Sequence, residues 1–315
     1  MMSISIGKYR ALQRASTDEA FFTILAIDHL DSLRRALNPT AAEAVTDEEM
    51  IDFKQQVVQS MQAQISGVLL DPVYSAAQLL SHNLPKSVGL IVELEKADYN
   101  MQPLPLSVDI RPHWSVEKIK RMSADGVKLF YYYDPDNADL CAKQDAIIEA
   151  VVSACTAMDI PLYAEPIISD VTPANRARKV FQSASRASDL GADILKLEFP
   201  VDVSVETDHR VWEAACGNLS GLGKPWVLLS AGVAFDTYCE QVEVACRAGA
   251  SGFMAGRAVW GDASAIGNPQ ERKAWLETIA VDRMQRLVSI AQDHARSWQE
   301  IYTPTPITPD WHIDY

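Results

Sequence analysis

Gly191-Ala-Asp-Ile-Leu-Lys-Leu-Glu-Phe-Pro200 is an apolar run with a lysine at its centre. Strands of a parallel sheet are covered on both faces and read as nearly continuous hydrophobic stretches, so this segment reads as a buried strand. Lys196 is out of place in it. Taking an ammonium out of water is costly unless the group is paired or gives up its proton. A neutral amine is the species that attacks a carbonyl to form a Schiff base. The structural alternative is an ion pair with Glu198, two residues on and therefore on the same strand face. This segment alone leaves both readings open.

Runs of the same kind recur along the chain, at Phe22–Asp28, Gly67–Asp71, Val88–Glu95, Gly126–Tyr133, Pro161–Pro166, Asp193–Pro200, Pro225–Gly232 and Gly252–Gly256. Between them Asp47–Gln64, Ser115–Ala124, Ala138–Met158, Pro173–Leu190, Asp208–Leu219 and Phe235–Ala248 repeat apolar residues at helical spacing. Ser115 and Thr172-Pro173 read as helix starts, and Gly126, Gly191 and Gly249 as left-handed caps after helices. Eight strands alternating with helices over roughly 250 residues is the pattern of a closed (β/α)8 barrel. An open doubly wound sheet would carry a Gly-rich phosphate turn after its first strand, and strand one here ends instead in Asp28-His-Leu-Asp31. The expectation is one catalytic barrel domain over residues 1–315, with a short N-terminal segment and an extended, proline-rich surface tail from about Tyr302.

Composition bounds what such a barrel does. Of the 315 residues 48% are hydrophobic and 22% charged, an ordinary globular mixture. The net charge of −14 argues against nucleic acid, whose phosphates need a basic face. No apolar run approaches the roughly 18 residues that span a membrane, and the N-terminus lacks signal-peptide organisation. The five cysteines, Cys141, Cys155, Cys216, Cys239 and Cys246, form no C-x-x-C pair and read as small buried residues of a reduced, cytoplasmic protein. Association into a homo-oligomer is common for barrels of this size and is not readable here.

In a barrel the chemistry sits at the C-terminal strand ends. There the sequence places Asp28 on strand one, Glu93 and Glu95 on three, Lys128 on four, Glu165 on five, and Lys196 with Glu198 on six. Ser230-Ala-Gly232 ends strand seven and Gly256-Arg257 ends strand eight. Such a set supports carbonyl chemistry through an imine, with Lys196 as nucleophile and Glu165 or Asp28 moving the proton of the substrate hydroxyl. For Lys128 the alternative is a structural salt bridge to a barrel carboxylate. The last two loops suit a phosphate, held by backbone N–H groups and the Arg257 fork. Of the six histidines only His29 lies at a strand end, and no metal-ligand spacing occurs, so neither metal nor cofactor is expected.

Taken together, several segments resemble the class I, Schiff-base tagatose-1,6-bisphosphate aldolases and the related sulfofructosephosphate aldolases. They are Leu25–Asp28, Glu95-Lys-Ala-Asp-Tyr99, Trp114–Lys120, Gly126–Asp134, Pro161–Glu165, Ala192–Pro200, Leu229–Val233 and Gly252–Trp260. The resemblance implies a metal-independent carbon–carbon lyase that cleaves a ketose phosphate into dihydroxyacetone phosphate and an aldehyde. It places Lys196 on the imine lysine, Glu165 on the acid/base glutamate, Lys128 on a second active-site lysine and Asp28 on a substrate-contacting aspartate. Ser230, Gly256 and Arg257 fall on the phosphate site, with Ala231, Gly232 and His29 beside it. One loop departs: the family continues Gln-Arg after the strand-one aspartate, where this chain has His29-Leu-Asp31. That exchange removes positive charge and leaves the aldehyde half open. Arg34, Arg35, Arg111 or the tail are the groups that could restore the charge. Other imine-forming sugar-phosphate aldolases and a non-enzymatic phosphosugar-sensing regulator remain alternative readings.

Overall fold

The computed structural model describes residues 1–82, 84–96, 108–313 and 315. In chain order its strands and helices are β1 (Met2–Ile4), α1 (Ile6–Ala15), β2 (Phe22–Ala26), α2 (Asp31–Leu37), α3 (Asp47–Met61), β3 (Gly67–Leu70), α4 (Ala76–His82) and β4 (Gly89–Glu93). They continue with α5 (Val116–Arg121), β5 (Gly126–Tyr133), α6 (Ala138–Ala157), β6 (Leu162–Ile168), α7 (Pro173–Leu190), β7 (Ile194–Leu197) and α8 (His209–Ser220). The last are β8 (Trp226–Leu229), α9 (Phe235–Arg247), β9 (Gly252–Ala255), α10 (Arg257–Trp260), α11 (Pro269–Trp275), α12 (Val281–His294) and β10 (Tyr302–Pro304). Strands β2 to β9 form a closed barrel in sequence order. Every pairing is parallel, and Phe22 opposite Gly252 joins the last strand to the first. The fold is a (β/α)8 barrel, as the strand count predicts.

Side chains on a strand alternate between faces, so every second residue points into the barrel. Ile24, Ile91, Tyr163, Ile194, Val227 and Met254 form one apolar cluster in the interior. Leu12 of α1, Trp298 and Tyr302 close that floor from the N-terminal end. Two residues further along the same strands lie Glu93, Glu165, Lys196, Leu229 and Gly256, the rim where the chemistry was expected. Gly126 is not the helix cap that its position suggests. It opens β5, and a Cβ there would stand 2.5 Å from the Tyr163 ring that fills the barrel centre. The expected caps at Gly191 and Gly249 are present, both at φ 104°. Thr172 caps α7 through a capping box with Asn175 and proline in the first turn, while Ser115 caps α5 by accepting from Lys118 N.

The tail is tied down at the N-terminal end. β10 pairs in parallel with β1, and the Tyr302 hydroxyl donates to Asp193 O at the start of β7, 2.8 Å away. Of the cysteines, Cys155, Cys216, Cys239 and Cys246 are buried and all five are free. No helix among the described residues is long and apolar enough to cross a membrane.

Candidate active site

Lys196, Glu165, Lys128 and Asp28 form one buried network. Lys196 Nζ lies 2.9 Å from Glu165 Oε1, and Lys128 Nζ lies 3.1 Å from Glu165 Oε2. The Lys128 ammonium also donates to Asp28 Oδ2 at 2.8 Å and to Glu95 Oε1 at 2.5 Å. One glutamate thus bridges two lysines contributed by different strands, with all four side chains at most 3% exposed. Glu198, the alternative partner for Lys196 on strand parity, turns elsewhere. β7 ends at Leu197, and past the last ladder bond a shared face no longer fixes a shared neighbour. Glu198 instead accepts from Ile168 N at 2.9 Å and from Arg176 at 3.2 Å. Glu165 sits inside β6 rather than at its end, because that strand runs on to Ile168.

Burial alone would raise the Asp28 carboxyl, but the ammonium groups of Lys128 and Lys196 outweigh it and hold the group well below the usual carboxylate range. Glu93 moves the other way: burial and the neighbouring Glu95 push it up. Burial raises Glu95 as well, against the pull of Lys128. Asp28, Glu93 and Glu95 each bring an oxygen within 4.8 Å of the others, an arrangement able to hold a cation. Lys128 already donates to two of them. Of the segment Glu95–Tyr99, residues Ala97, Asp98 and Tyr99 lie outside the described residues.

A cavity of about 270 Å³ opens above this network, lined by Lys196, Glu165, Ser230, Ala231, Gly256, Arg257 and His29 among others. Asp28 and Lys128 lie outside its lining and reach it through Glu165. On one side the Ser230 hydroxyl accepts from Gly256 N at 3.2 Å. Ala231 and Gly232 follow at φ 47° and 74°, a tight left-handed turn closed by Val233 N donating to Ser230 O at 3.1 Å ahead of α9. Arg257 packs on that turn, its Cζ 3.4 Å from where a Gly232 Cβ would stand. Gly232 itself lines an adjoining cavity of about 600 Å³, which shares His29, Ala231 and Arg257 with the first. His29 lies edge-on to Trp260, and burial pushes its imidazole well below the ordinary range despite Asp28 beside it.

The opposite wall went unread in the sequence. Phe130, Tyr132, Ile167 and Ile168 line it, with Glu198 at its edge. The signal was present, since Phe130 and Tyr132 share the parity of Lys128 on β5 and so point inward with it.

The model of the DeoC/LacD family aldolases matches residues 22–262 of the chain. Tagatose 1,6-diphosphate aldolase 2 of Streptococcus agalactiae is 30% identical, over 95% of this chain and 99% of its own length. The tagatose 1,6-diphosphate aldolase of Listeria monocytogenes is also 30% identical, with 96% of both chains covered. Among solved structures, fructose-bisphosphate aldolase of Plasmodium falciparum superposes with a TM-score of 0.71 at 13% identity, covering 94% of this chain and 98% of its own. An archaeal fructose 1,6-bisphosphate aldolase gives 0.60 at 18% identity, covering 91% and 99%. Family model and relatives span the barrel and every residue of the network, and the chain belongs to the DeoC/LacD family of aldolases.

Proposed function

We propose that this aldolase cleaves a ketose phosphate reversibly into dihydroxyacetone phosphate and an aldehyde through a Schiff base on Lys196, as one catalytic unit. The observation that carries the reading is Glu165 set between Lys196 and Lys128, at 2.9 and 3.1 Å. The relatives named as tagatose 1,6-diphosphate aldolases and a solved neighbour described as a Schiff-base-forming fructose-1,6-bisphosphate aldolase support it.

The Lys196 amine attacks the C2 carbonyl, and the carbinolamine loses water to give a protonated imine. The C3–C4 bond then breaks with its electron pair flowing into the iminium, while a carboxylate takes the proton of the C4 hydroxyl and the aldehyde leaves. Glu165 stands 2.9 Å from the Lys196 amine, and we assign it the proton transfers. Lys128 offsets the charge of Glu165 and holds Asp28 ionised behind it. The resulting enamine is protonated at C3, and water releases dihydroxyacetone phosphate. The turn Ser230-Ala231-Gly232 with Gly256 and Arg257 holds the phosphate, donating N–H groups to the anion, with His29 beside it. The free, buried cysteines support a reduced cytoplasmic setting.

The test is release of dihydroxyacetone phosphate from ketose 1-phosphates and 1,6-bisphosphates, followed with a coupled dehydrogenase in the presence and absence of EDTA. Release insensitive to the chelator is expected. No release from any of these substrates, or release that EDTA abolishes, overturns the reading.

A further inference from the structure

We infer that the natural substrate carries a single anion: a ketose 1-phosphate whose distal carbon bears a hydroxyl or a hydrogen, unlike the bisphosphates named for the relatives. The inference rests on the phosphate of the proposed function lying at Arg257 and the Ser230–Gly232 turn. It concerns the other end of the cavity. A second phosphate is bound where arginine forks or helix N-termini face it, and the distal wall offers Phe130, Tyr132, Ile167 and Ile168 instead.

Four arginines around the two cavities are held by other partners. Arg34 of α2 donates to Tyr74 Oη at 2.7 Å, and to Val45 O and Asp47. Arg111 pairs with Glu93 at 2.7 Å. Arg176 is held by Glu198 at 3.2 Å and Phe199 O at 2.9 Å. Arg283, in the adjoining cavity, pairs with Asp262 at 2.8 Å and lies over the Phe235 and Trp275 rings. Recruiting any of these forks for a substrate would strand its carboxylate or carbonyl partner. Arg35 and Lys96 are exposed and belong to neither cavity lining. Residues 97–107 contain no lysine or arginine, and one aspartate. The tail from Tyr302 has neither basic residue, and it is anchored at the barrel's other end. Among the described residues, none of the groups that could restore the charge lost with His29-Leu-Asp31 lines this cavity. What the distal wall does offer is apolar surface for a short carbon chain, a phenol at Tyr132 and the carboxylate of Glu198, which together suit a hydroxymethyl or methyl end.

The experiment compares kcat/KM for fructose 1-phosphate and tagatose 1-phosphate with that for the two 1,6-bisphosphates, on the wild-type enzyme and on Ile167→Arg. The half-buried Ile167 stands at the distal wall and outside the proposed chemistry. In the wild type the monophosphates are expected at or above the bisphosphates, and any bisphosphate preference overturns the inference while leaving the aldolase reading intact. Ile167→Arg should move the ratio at least tenfold toward the bisphosphates. An unchanged ratio in a variant that still turns over places the distal end elsewhere and overturns the assignment of the wall. Absence of cleavage with all four substrates contradicts the proposed function instead, so the two failures are distinct.

Discussion

Two layers inside one barrel differ by two residues per strand and by everything in their chemistry. In the floor, Ile91, Tyr163, Ile194 and Val227 pack as an apolar cluster closed from below. One step up, Glu93, Glu165 and Lys196 bring charge to the same strands, with Lys128 joining them above Gly126. Strand geometry and inward direction are shared. The difference is what each layer borders: the floor meets α1 and the β1–β10 ribbon, and the upper layer meets the cavity. In the upper layer buried charge is tolerated because anions and ammonium groups come together from separate strands. A lone ion at that depth would carry a desolvation cost of several kcal/mol.

The comparison is broken most severely at Lys196. Lys196→Ala should lower kcat/KM by at least about 10⁴-fold while the protein remains folded. Lys196→Arg should do no better, because arginine stays protonated and cannot be the nucleophile. Steady-state kinetics beside circular dichroism separates loss of chemistry from loss of fold; substantial activity in either variant removes Lys196 from the mechanism.

Glu165→Gln is the next largest test. General acid/base groups contribute about 10²–10⁴-fold, and a loss of that size is expected in carbon–carbon cleavage. Imine formation, measured by single-turnover borohydride quenching, should suffer less. If the glutamine variant turns over near the wild-type rate, Asp28 is the proton acceptor.

The floor gives the smallest effect and the opposite sign. The Tyr163 hydroxyl is buried without a hydrogen-bond partner among the described residues, although its ring fills the barrel centre. Tyr163→Phe keeps the ring and deletes the unsatisfied group, so thermal denaturation should show stability unchanged or raised by about 1 kcal/mol, with kcat/KM unaltered. A clear drop in stability, or in activity, would mean that the two layers are coupled through that hydroxyl.

The sequence made these layers legible because both depend on period-two alternation. All eight barrel strands were readable from apolar runs, and the charged residues that break those runs converge in the network. What was not readable lies where alternation stops. Glu198 follows the last residue of β7, so parity could not decide between Lys196 and the partner it takes, Arg176. Gly126 looked like a cap because a glycine after a helix usually is one, and only the third dimension shows Tyr163 opposite it. β1 and β10 have three residues each, too few to show a period, so the floor's closure and the tail's anchor were invisible. The helices beyond Arg257 follow the last strand and cover the outside of a barrel already complete. The distal wall was hidden for another reason: Phe130 and Tyr132 lie in an aromatic run whose residues look alike whichever way they face.

The central claim is that Lys196 forms the Schiff base. The most direct measurement is borohydride reduction in the presence of dihydroxyacetone phosphate, followed by peptide mapping with mass spectrometry. The account predicts one reduced three-carbon adduct per chain, on Lys196, formed equally well with EDTA present and lost in Lys196→Ala. An adduct on Lys128 or another lysine, or none under conditions where the enzyme turns over, would contradict it.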